Sequence, residues 1–399
     1  MVTLSLAMIV RDEALSIERV LASAVSFCDE MVIVDTGSTD QTVAMVEAFA
    51  QRHPEVRFKI EHFEWVNDFS AARNYAFSHC TGDWIMWLDG DDFLAPEQIP
   101  LFAALKNDPA MLADEAMQFL FVPYVCNFDR QTGQVAQTVV RERFIRNHQG
   151  YRWNGVVHET IEVEPTHKNC ILNHLQVYHD PIKPKNPDRY LDMITSQLEP
   201  LDTLDNSGFM TFFDVRYYFY QASELLKRQQ YEAAIPYFEV CLSCPGRFRE
   251  QYLMRVQQGR CHMGLGQYDQ ALDCALDAIR RDASRAEAYM LAAECKFRDD
   301  RFLEAIPLFQ AATYCRIPDN THSMPMEYGP RPLHYLASCY SRVGELENCI
   351  DAMYRAMREG ADLDDLMPQF RGLIEEALAG KQAGGLMAVV AKSESQYTV

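Results

Sequence analysis

Residues 84–92 read Trp84-Ile85-Met86-Trp87-Leu88-Asp89-Gly90-Asp91-Asp92. The first five are all apolar, so they do not alternate as a half-solvated strand would. They fit a strand buried on both faces, as in a parallel sheet covered by helices. The same texture recurs upstream. Residues 4–10, 31–34 and 58–61 form short β-rich runs. Between them, Ile17, Val20, Leu21, Ala24 and Val25 fall at helical intervals within 14–27, and Val43, Val46 and Phe49 do so within 41–52. Residues 70–80 read as a third helix. Strand–helix alternation with buried strands predicts an α/β domain built on a doubly wound, mostly parallel sheet. In such sheets ligands sit beyond the carboxyl ends of the strands. Asp35 and Asp89 both lie at such ends.

The chain around this core has 399 residues, 48% of them hydrophobic and 24% charged, enough for two or three domains with substantial cores. A net charge of −20 argues against bulk attraction to nucleic acid or anionic membrane, since both are polyanions. The apolar run at 4–10 is too short to span a bilayer and lacks the basic start of a signal peptide. It reads as a strand of a cytoplasmic protein. Twelve cysteines are scattered through apolar patterns, and Cys241 and Cys244 form a lone CxxC with no second pair. Reduced, structural cysteines are the expectation.

After Asp180 the texture changes. Pro181, Pro184 and Pro187, interleaved with lysines, mark a stiff linker, and the rest is helical in pattern. A repeat emerges when the chain is aligned on Tyr231, Tyr268, Phe302 and Leu346, at spacings of 37, 34 and 44 residues. Nine residues before these anchors stand Ala222, Gly259, Ala293 and Ala337. Three after stand Ala234, Ala271, Ala305 and Cys349; seven after, Phe238, Ala275, Phe309 and Met353; ten after, Cys241, Ala278, Ala312 and Ala356. Small residues at fixed offsets let paired helices approach closely, and the bulkier ones fill the space between pairs. This register resembles the tetratricopeptide repeat. The longest interval carries an extra Pro-rich loop near 317–332. The expected organisation is an α/β domain over 1–180 and a Pro-rich linker and connecting helix over 181–213. Four repeats follow over 214–360, then capping helices and a tail over 361–399.

Two motifs carry chemistry. In Val34-Asp35-Thr36-Gly37-Ser38-Thr39-Asp40, Asp35 can accept hydrogen bonds from a nucleoside base or ribose. Gly37 keeps the turn tight, and Ser38, Thr39 or Asp40 can cap the next helix. In the second motif, Asp89, Asp91 and Asp92 repel one another unless a counter-charge is present. A divalent cation supplies one, and oxygen ligands favour magnesium or manganese. An acidic turn after a strand also occurs without metal, so on the residues alone both readings stand.

Six ordered stretches together resemble family 2 glycosyltransferases of the GT-A fold over about residues 3–180. They are Leu6-Ala7-Met8-Ile9-Val10-Arg11-Asp12-Glu13, the Asp35 turn, Asn67-Asp68-Phe69-Ser70-Ala71-Ala72-Arg73-Asn74, the Asp89 turn, Arg141-Glu142-Arg143-Phe144-Ile145-Arg146-Asn147, and Gly155-Val156-Val157-His158-Glu159. A transferase domain followed by tetratricopeptide helices also resembles the branch containing bacterial peptide (bacteriocin) glycosyltransferases. The resemblance implies an inverting, metal-dependent transferase, a hexosyltransferase, using Mn2+ or Mg2+ and a nucleotide diphosphate sugar, with a UDP-sugar first among donors. The acceptor would be a peptide, protein or glycan held by the repeats, which could instead form a homodimer interface. On that pattern Asp35 holds the nucleoside, Arg73 faces the nucleotide, Asp89 touches ribose or sugar, and Asp91 binds the metal. Glu159 is the candidate base for the acceptor. His158 would orient Glu159 or touch the diphosphate, and it competes with the favoured His179 as a further metal ligand. The family turn often ends in Glu where Asp92 stands, which leaves the role of Asp92 open.

Arg141, Arg143 and Arg146 form a basic cluster suited to contact with a diphosphate or an acceptor, or to solvent. Arg143 and Arg146 are three apart, a spacing that a helix and not a strand would place on one face. Trp153 and Tyr151 are either sugar-stacking rings or core. An inactive transferase domain serving as a repeat scaffold is the alternative function. A nucleotidyltransferase is disfavoured, because no glycine follows the first strand in Arg11-Asp12-Glu13-Ala14-Leu15. A processive polysaccharide synthase would need membrane helices.

Overall fold

A computed structural model of the chain describes residues 2–108, 111–128, 135–164, 166–182, 189–198, 212–244, 251–317 and 325–359. The expected capping helices over 361–399 lie outside the described residues, as does most of the expected linker. The chain divides into two compact units, Met1–Ser196 and Gln197–Val399.

The first unit opens with the expected alternation: β1 (Leu4–Val10), α1 (Ile17–Ala24), β2 (Glu30–Asp35), α2 (Thr42–Arg52), β3 (Arg57–His62), α3 (Phe69–His79) and β4 (Trp84–Trp87). Strands β1, β2 and β4 are buried along their whole length, as their unbroken apolar runs require. Successive residues serve opposite faces. Leu4, Leu6, Met8 and Val10 pack with Val20, Leu21 and Phe49, while Ala7 and Ile9 pack with Ala72, Ala76 and Phe77 of α3.

The remaining elements are β5 (Asp92–Phe93), α4 (Ile99–Lys106), β6 (Met117–Phe128), β7 (Val135–Arg146), β8 (Trp153–Asn154), β9 (Thr160–Ile161), β10 (Lys168–Ile171), β11 (Val177–His179) and α5 (Arg189–Thr195). The main sheet has nine strands in the order β3-β2-β1-β4-β7-β6-β11-β5, with β10 also paired to β6. Strands β3, β2, β1 and β4 run parallel, whereas β7 is antiparallel to both β4 and β6. The sheet is therefore mixed, and its parallel half is the part read from the apolar runs.

This order decides where the chemistry sits. β1 lies between β2 and β4, so Asp35 and Asp89 emerge on either side of the turn Arg11-Asp12-Glu13. β7 lies on the other side of β4, and β5 pairs with β11, with His179 opposite Asp92. Arg141, Arg143 and Arg146 stand on β7, so they do not share the helical face that their spacing suggested.

The second unit contains α6 (Phe212–Lys227), α7 (Tyr231–Ser243), α8 (Gln251–Gly264), α9 (Tyr268–Arg281), α10 (Ala286–Arg298), α11 (Phe302–Tyr314), α12 (Pro330–Val343) and α13 (Leu346–Arg358). Tyr231, Tyr268, Phe302 and Leu346 are each the first residue of the second helix of a pair. Ala222, Ala293 and Ala337 are fully buried on first helices, and Ala234, Ala271 and Ala305 on second helices. Within the last and longest interval between anchors, a 3-10 turn, Pro325–Tyr328, precedes α12. All twelve cysteines are free. No helix among the described residues is long and apolar enough to cross a membrane.

Gly259 takes the small-residue position of the second pair. A Cβ there would lie 2.5 Å from Leu291 Cδ2, 3.0 Å from Cys274 Cβ and 3.2 Å from the Ala271 carbonyl oxygen. Leu291 is itself buried in the cluster and has little room to yield. Gly259→Val should therefore destabilise the repeats by about 1–3 kcal/mol through overpacking, despite the better helix propensity of valine. Circular dichroism melting checks this. An unchanged Tm would show that the two helices separate freely here.

Candidate active site

The β1 and β2 turns lock together through carboxylates. Asp35, buried at the end of β2, accepts the backbone N–H groups of Gly37 and Ser38, each at 3.1 Å. Gly37 has φ +101°, which permits that sharp turn. Asp12 accepts the Thr39 N–H at 2.6 Å, and this bond holds the Asp12 carboxyl below its usual range against a smaller opposing effect of burial. Asp40 accepts the Thr42 N–H at 2.9 Å just before α2, but the N-cap position is Gln41 and no side chain caps the helix there, so none of Ser38, Thr39 and Asp40 takes the capping role that the sequence offered. His62 Nδ1 stands 3.3 Å from Asp35 Oδ2.

The Asp89 turn is built on a buried ion pair. Arg143 and Asp92 side chains are both 0% exposed, with Nη1 3.0 Å from Oδ2. The same Arg143 nitrogen donates to the Trp87 carbonyl at 3.0 Å. Asp92 Oδ2 also accepts the Asp89 N–H at 3.0 Å, and Oδ1 accepts the Tyr124 hydroxyl at 2.7 Å. Arg143 Nε and Nη2 are buried without a hydrogen-bond partner among the described residues. Aromatic faces take up that charge instead, with Cζ 3.8 Å from the Trp87 ring centre and 4.3 Å from that of Tyr124. Asp92 thus shapes the turn that presents Asp89 and Asp91. Arg143 and Tyr124 were not legible as its partners, although an arginine beside Phe144 and Ile145 on an apolar strand calls for a buried acid.

Arg73 joins the two remaining acids. It extends from α3, whose start is capped by Asp68 accepting the Ala71 N–H. Its Nε donates to Glu159 Oε1 at 2.6 Å and its Nη2 to Asp89 Oδ1 at 2.7 Å. The guanidinium lies 4.5 Å from the Trp87 ring centre. Burial opposes its charge, but Asp89 and Glu159 outweigh burial and hold the Arg73 pKa above the usual value. Asp89 shows the reverse balance. Burial works to raise its pKa, while Arg73 and Arg143 outweigh that and keep it low. Among the described residues the Glu159 carboxylate accepts its hydrogen bond from Arg73 through Oε1.

Asp91, Asp92 and His179 offer ligand atoms that all lie within 4.8 Å of one another. His179 Nδ1 is 3.4 Å from Asp91 Oδ1 and 3.3 Å from Asp92 Oδ1. Burial alone would lower the His179 pKa, but hydrogen bonds to Asp91 and Asp92 outweigh it and push it up to about 10. Of the two candidate histidines, His179 therefore stands with the acids. His158 is exposed at φ +54°, with its ring 6.1 Å from that of Tyr190.

The other candidates disperse. Arg141 lies against Trp87 and donates to the Glu159 carbonyl at 3.3 Å. Arg146 turns to the opposite side, donating to the Met117 carbonyl at 2.7 Å and covering Trp84. Trp153 is 1% exposed and meets Trp87 edge-on at 5.2 Å, so it is core and cannot stack on a sugar. Tyr151 packs on Phe119 and donates to Gln118.

Both units resemble known proteins. Residues 5–152 match the glycosyl transferase family 2 model, and residues 256–320 match a tetratricopeptide repeat. A TPR repeat-containing protein of Synechococcus elongatus is 37% identical over 162 residues, covering 41% of this chain and 36% of that protein. The SPbeta prophage-derived glycosyltransferase SunS of Bacillus subtilis is 26% identical over 259 residues, covering 62% of this chain and 55% of SunS. The crystal structure of S. aureus TarS 1-349 is 13% identical, with a TM-score of 0.38 over 71% of this chain and 92% of that one. The chain thus spans little more than half of one of these curated relatives and about a third of the other. The N-terminal unit carries a family 2 glycosyltransferase domain, and tetratricopeptide repeats follow it in the chain.

Proposed function

We propose that this chain moves a sugar from a nucleoside diphosphate donor, a UDP-sugar first among candidates, to a polar acceptor, with inversion and with help from a divalent cation. The observation that carries this reading is the junction at Arg73. One guanidinium there fixes both Asp89, at the end of β4, and Glu159, which lies 70 residues further along the chain.

The donor set suits a divalent cation. Asp89, Asp91, Asp92 and Glu159 gather around Arg73, Arg143 and His179, and two acids with one imidazole converge within bonding reach of one point. Carboxylate oxygen with imidazole nitrogen fits manganese well and magnesium less well. Asp91 and His179 would be its principal ligands, because both Asp92 oxygens already accept hydrogen bonds. Bound there, the cation would offset charge on the departing diphosphate.

The chain's own groups do the rest. Asp35 sits at the rim of β2 with lone pairs left for a ribose hydroxyl or a base N–H. Asp89 is held ionised and pointed by Arg73, fit to accept from ribose or sugar hydroxyls. Glu159 keeps Oε2 available to take the acceptor's proton, while Arg73 fixes the carboxylate through Oε1. Buried Trp87 and Trp153 form an apolar floor beneath Arg73, which strengthens these charge contacts. A peptide or protein acceptor accords with the tetratricopeptide repeats that follow the domain.

Two measurements test this. Calorimetric titration with UDP and GDP should show binding with manganese, and loss of that binding with excess chelator or in Asp91→Ala. Equal binding under all three conditions would remove the cation from the reading. Glu159→Gln should keep donor binding and slow transfer by about 10²–10⁴-fold. Transfer at the parent rate would place the base elsewhere, and no donor binding by the parent protein would favour a scaffold role.

A further inference from the structure

β11 is three residues long, and His179 is its last. Val177 and Tyr178 pair with β6, whereas His179 pairs only with Asp92 of β5 among the described residues. β5 is itself two residues long. So short a ladder gives the imidazole little support at its place beside Asp91.

The next residue supplies that support. The Asp180 N–H donates to the Asp91 carbonyl at 3.0 Å, which ties the chain after His179 to the acidic turn. Arg19, on α1, then takes hold of Asp180 from outside the sheet. Its Nη1 lies 2.7 Å from Asp180 Oδ2, and its Nη2 donates to the Asp180 carbonyl at 3.4 Å. The same guanidinium lies 4.3 Å from the ring centre of Phe93, the residue after Asp92 on β5. The Phe93 ring meets that of Tyr178, the residue before His179, at 5.4 Å. One side chain thus bears on both strands of the ladder, at positions adjoining His179 and Asp92.

The Arg19 side chain is 36% exposed. An ion pair that open to solvent contributes at most about 1 kcal/mol to stability, so the sheet does not need it in order to fold. What the charge-assisted grip supplies is direction. We propose that Arg19 is a positioning residue for the cation site: through Asp180 and Phe93 it holds His179 beside Asp91, and so sets how tightly a divalent cation is bound. This rests on the reading of Asp91 and His179 as the principal ligands. Groups that orient ligands without touching the ion change metal affinity by about 10–100-fold when they are lost.

The test is manganese titrated calorimetrically into the full chain with UDP present, beside a circular dichroism melt of each variant. Arg19→Gln should weaken manganese binding at least about tenfold, while Tm moves by no more than about 4 °C. Arg19→Lys, which keeps the charge facing Asp180, should recover most of the affinity. Asp180→Asn should lose about as much as Arg19→Gln, and the double variant no more than either, because both remove one contact. Arg52→Gln breaks another exposed ion pair of α1, that with Glu18, and should leave manganese binding unchanged. Parent-like affinity in Arg19→Gln overturns the proposal, as does a loss shared by Arg52→Gln or an additive double variant. Should Arg19→Gln not fold, Asp180→Asn decides, with parent-like affinity again the overturning result. If the unchanged chain binds UDP without regard to manganese, the cation reading of the site falls and this proposal with it. That failure shows in the parent, whereas failure of the positioning role shows only in the variants.

Discussion

The buried pair between Arg143 and Asp92 is the constraint on which the first unit's site depends. Two charges with 0% exposure are costly to desolvate, and losing one partner of such a pair typically costs about 3–5 kcal/mol. The cost is tolerated because Asp92 is satisfied on both oxygens and the Arg143 charge also meets aromatic faces. Asp92 takes donors from Arg143, Tyr124 and the Asp89 backbone, while Arg143 lies between two aromatic faces and reaches the Trp87 carbonyl. These bonds tie β4, β6 and β7 together beneath the turn. With the backbone of Asp89 pinned to Asp92, the side chains of Asp89 and Asp91 have little choice of direction. Asp92 lies in the same acidic turn, but both of its oxygens are taken up in holding that turn in place.

From that pillar the site spreads by ion pairing rather than by sequence proximity. Asp89 holds Arg73, and Arg73 holds Glu159. On the other side His179 closes on Asp91 and Asp92 because β11 pairs with β5 at that position. Each acid is balanced by a cation from a different element, so the arrangement exists only once the mixed sheet has formed.

This explains what could be read beforehand. Buried parallel strands are written as unbroken apolar runs, so β1, β2 and β4 are visible in sequence, and so is the placement of Asp35 and Asp89 at their ends. The repeats are visible for a similar reason, since a fixed period places Ala271 and Ala305 at equivalent contacts. The antiparallel half is not. β7 carries Arg141, Glu142 and Arg143 in succession, which reads as a solvated charge run. Arg143 is nevertheless fully buried, because its partner, Asp92, comes from 51 residues away. Strands as short as β5, β10 and β11 hold too few residues to show a period at all. The meeting of Arg73 with Glu159, 86 residues apart, leaves no trace in local spacing.

The two units bury acids to different ends, and the difference lies in how completely each acid is satisfied. Asp92 has donors on both oxygens and cannot leave without stranding Arg143, Tyr124 and a backbone N–H in a dry interior. Glu327 takes both of its arginines, Arg260 and Arg331, through a single oxygen, and the other has no hydrogen-bond partner among the described residues. Removing it would return that oxygen to water, a gain that partly offsets the lost ion pairs. Arg331 would keep Glu294, and Arg260 is already a fifth exposed. The acid under the Asp89 turn is therefore satisfied on both oxygens by three elements of its fold, whereas the acid between the repeats ties α8 to α12 through one oxygen alone.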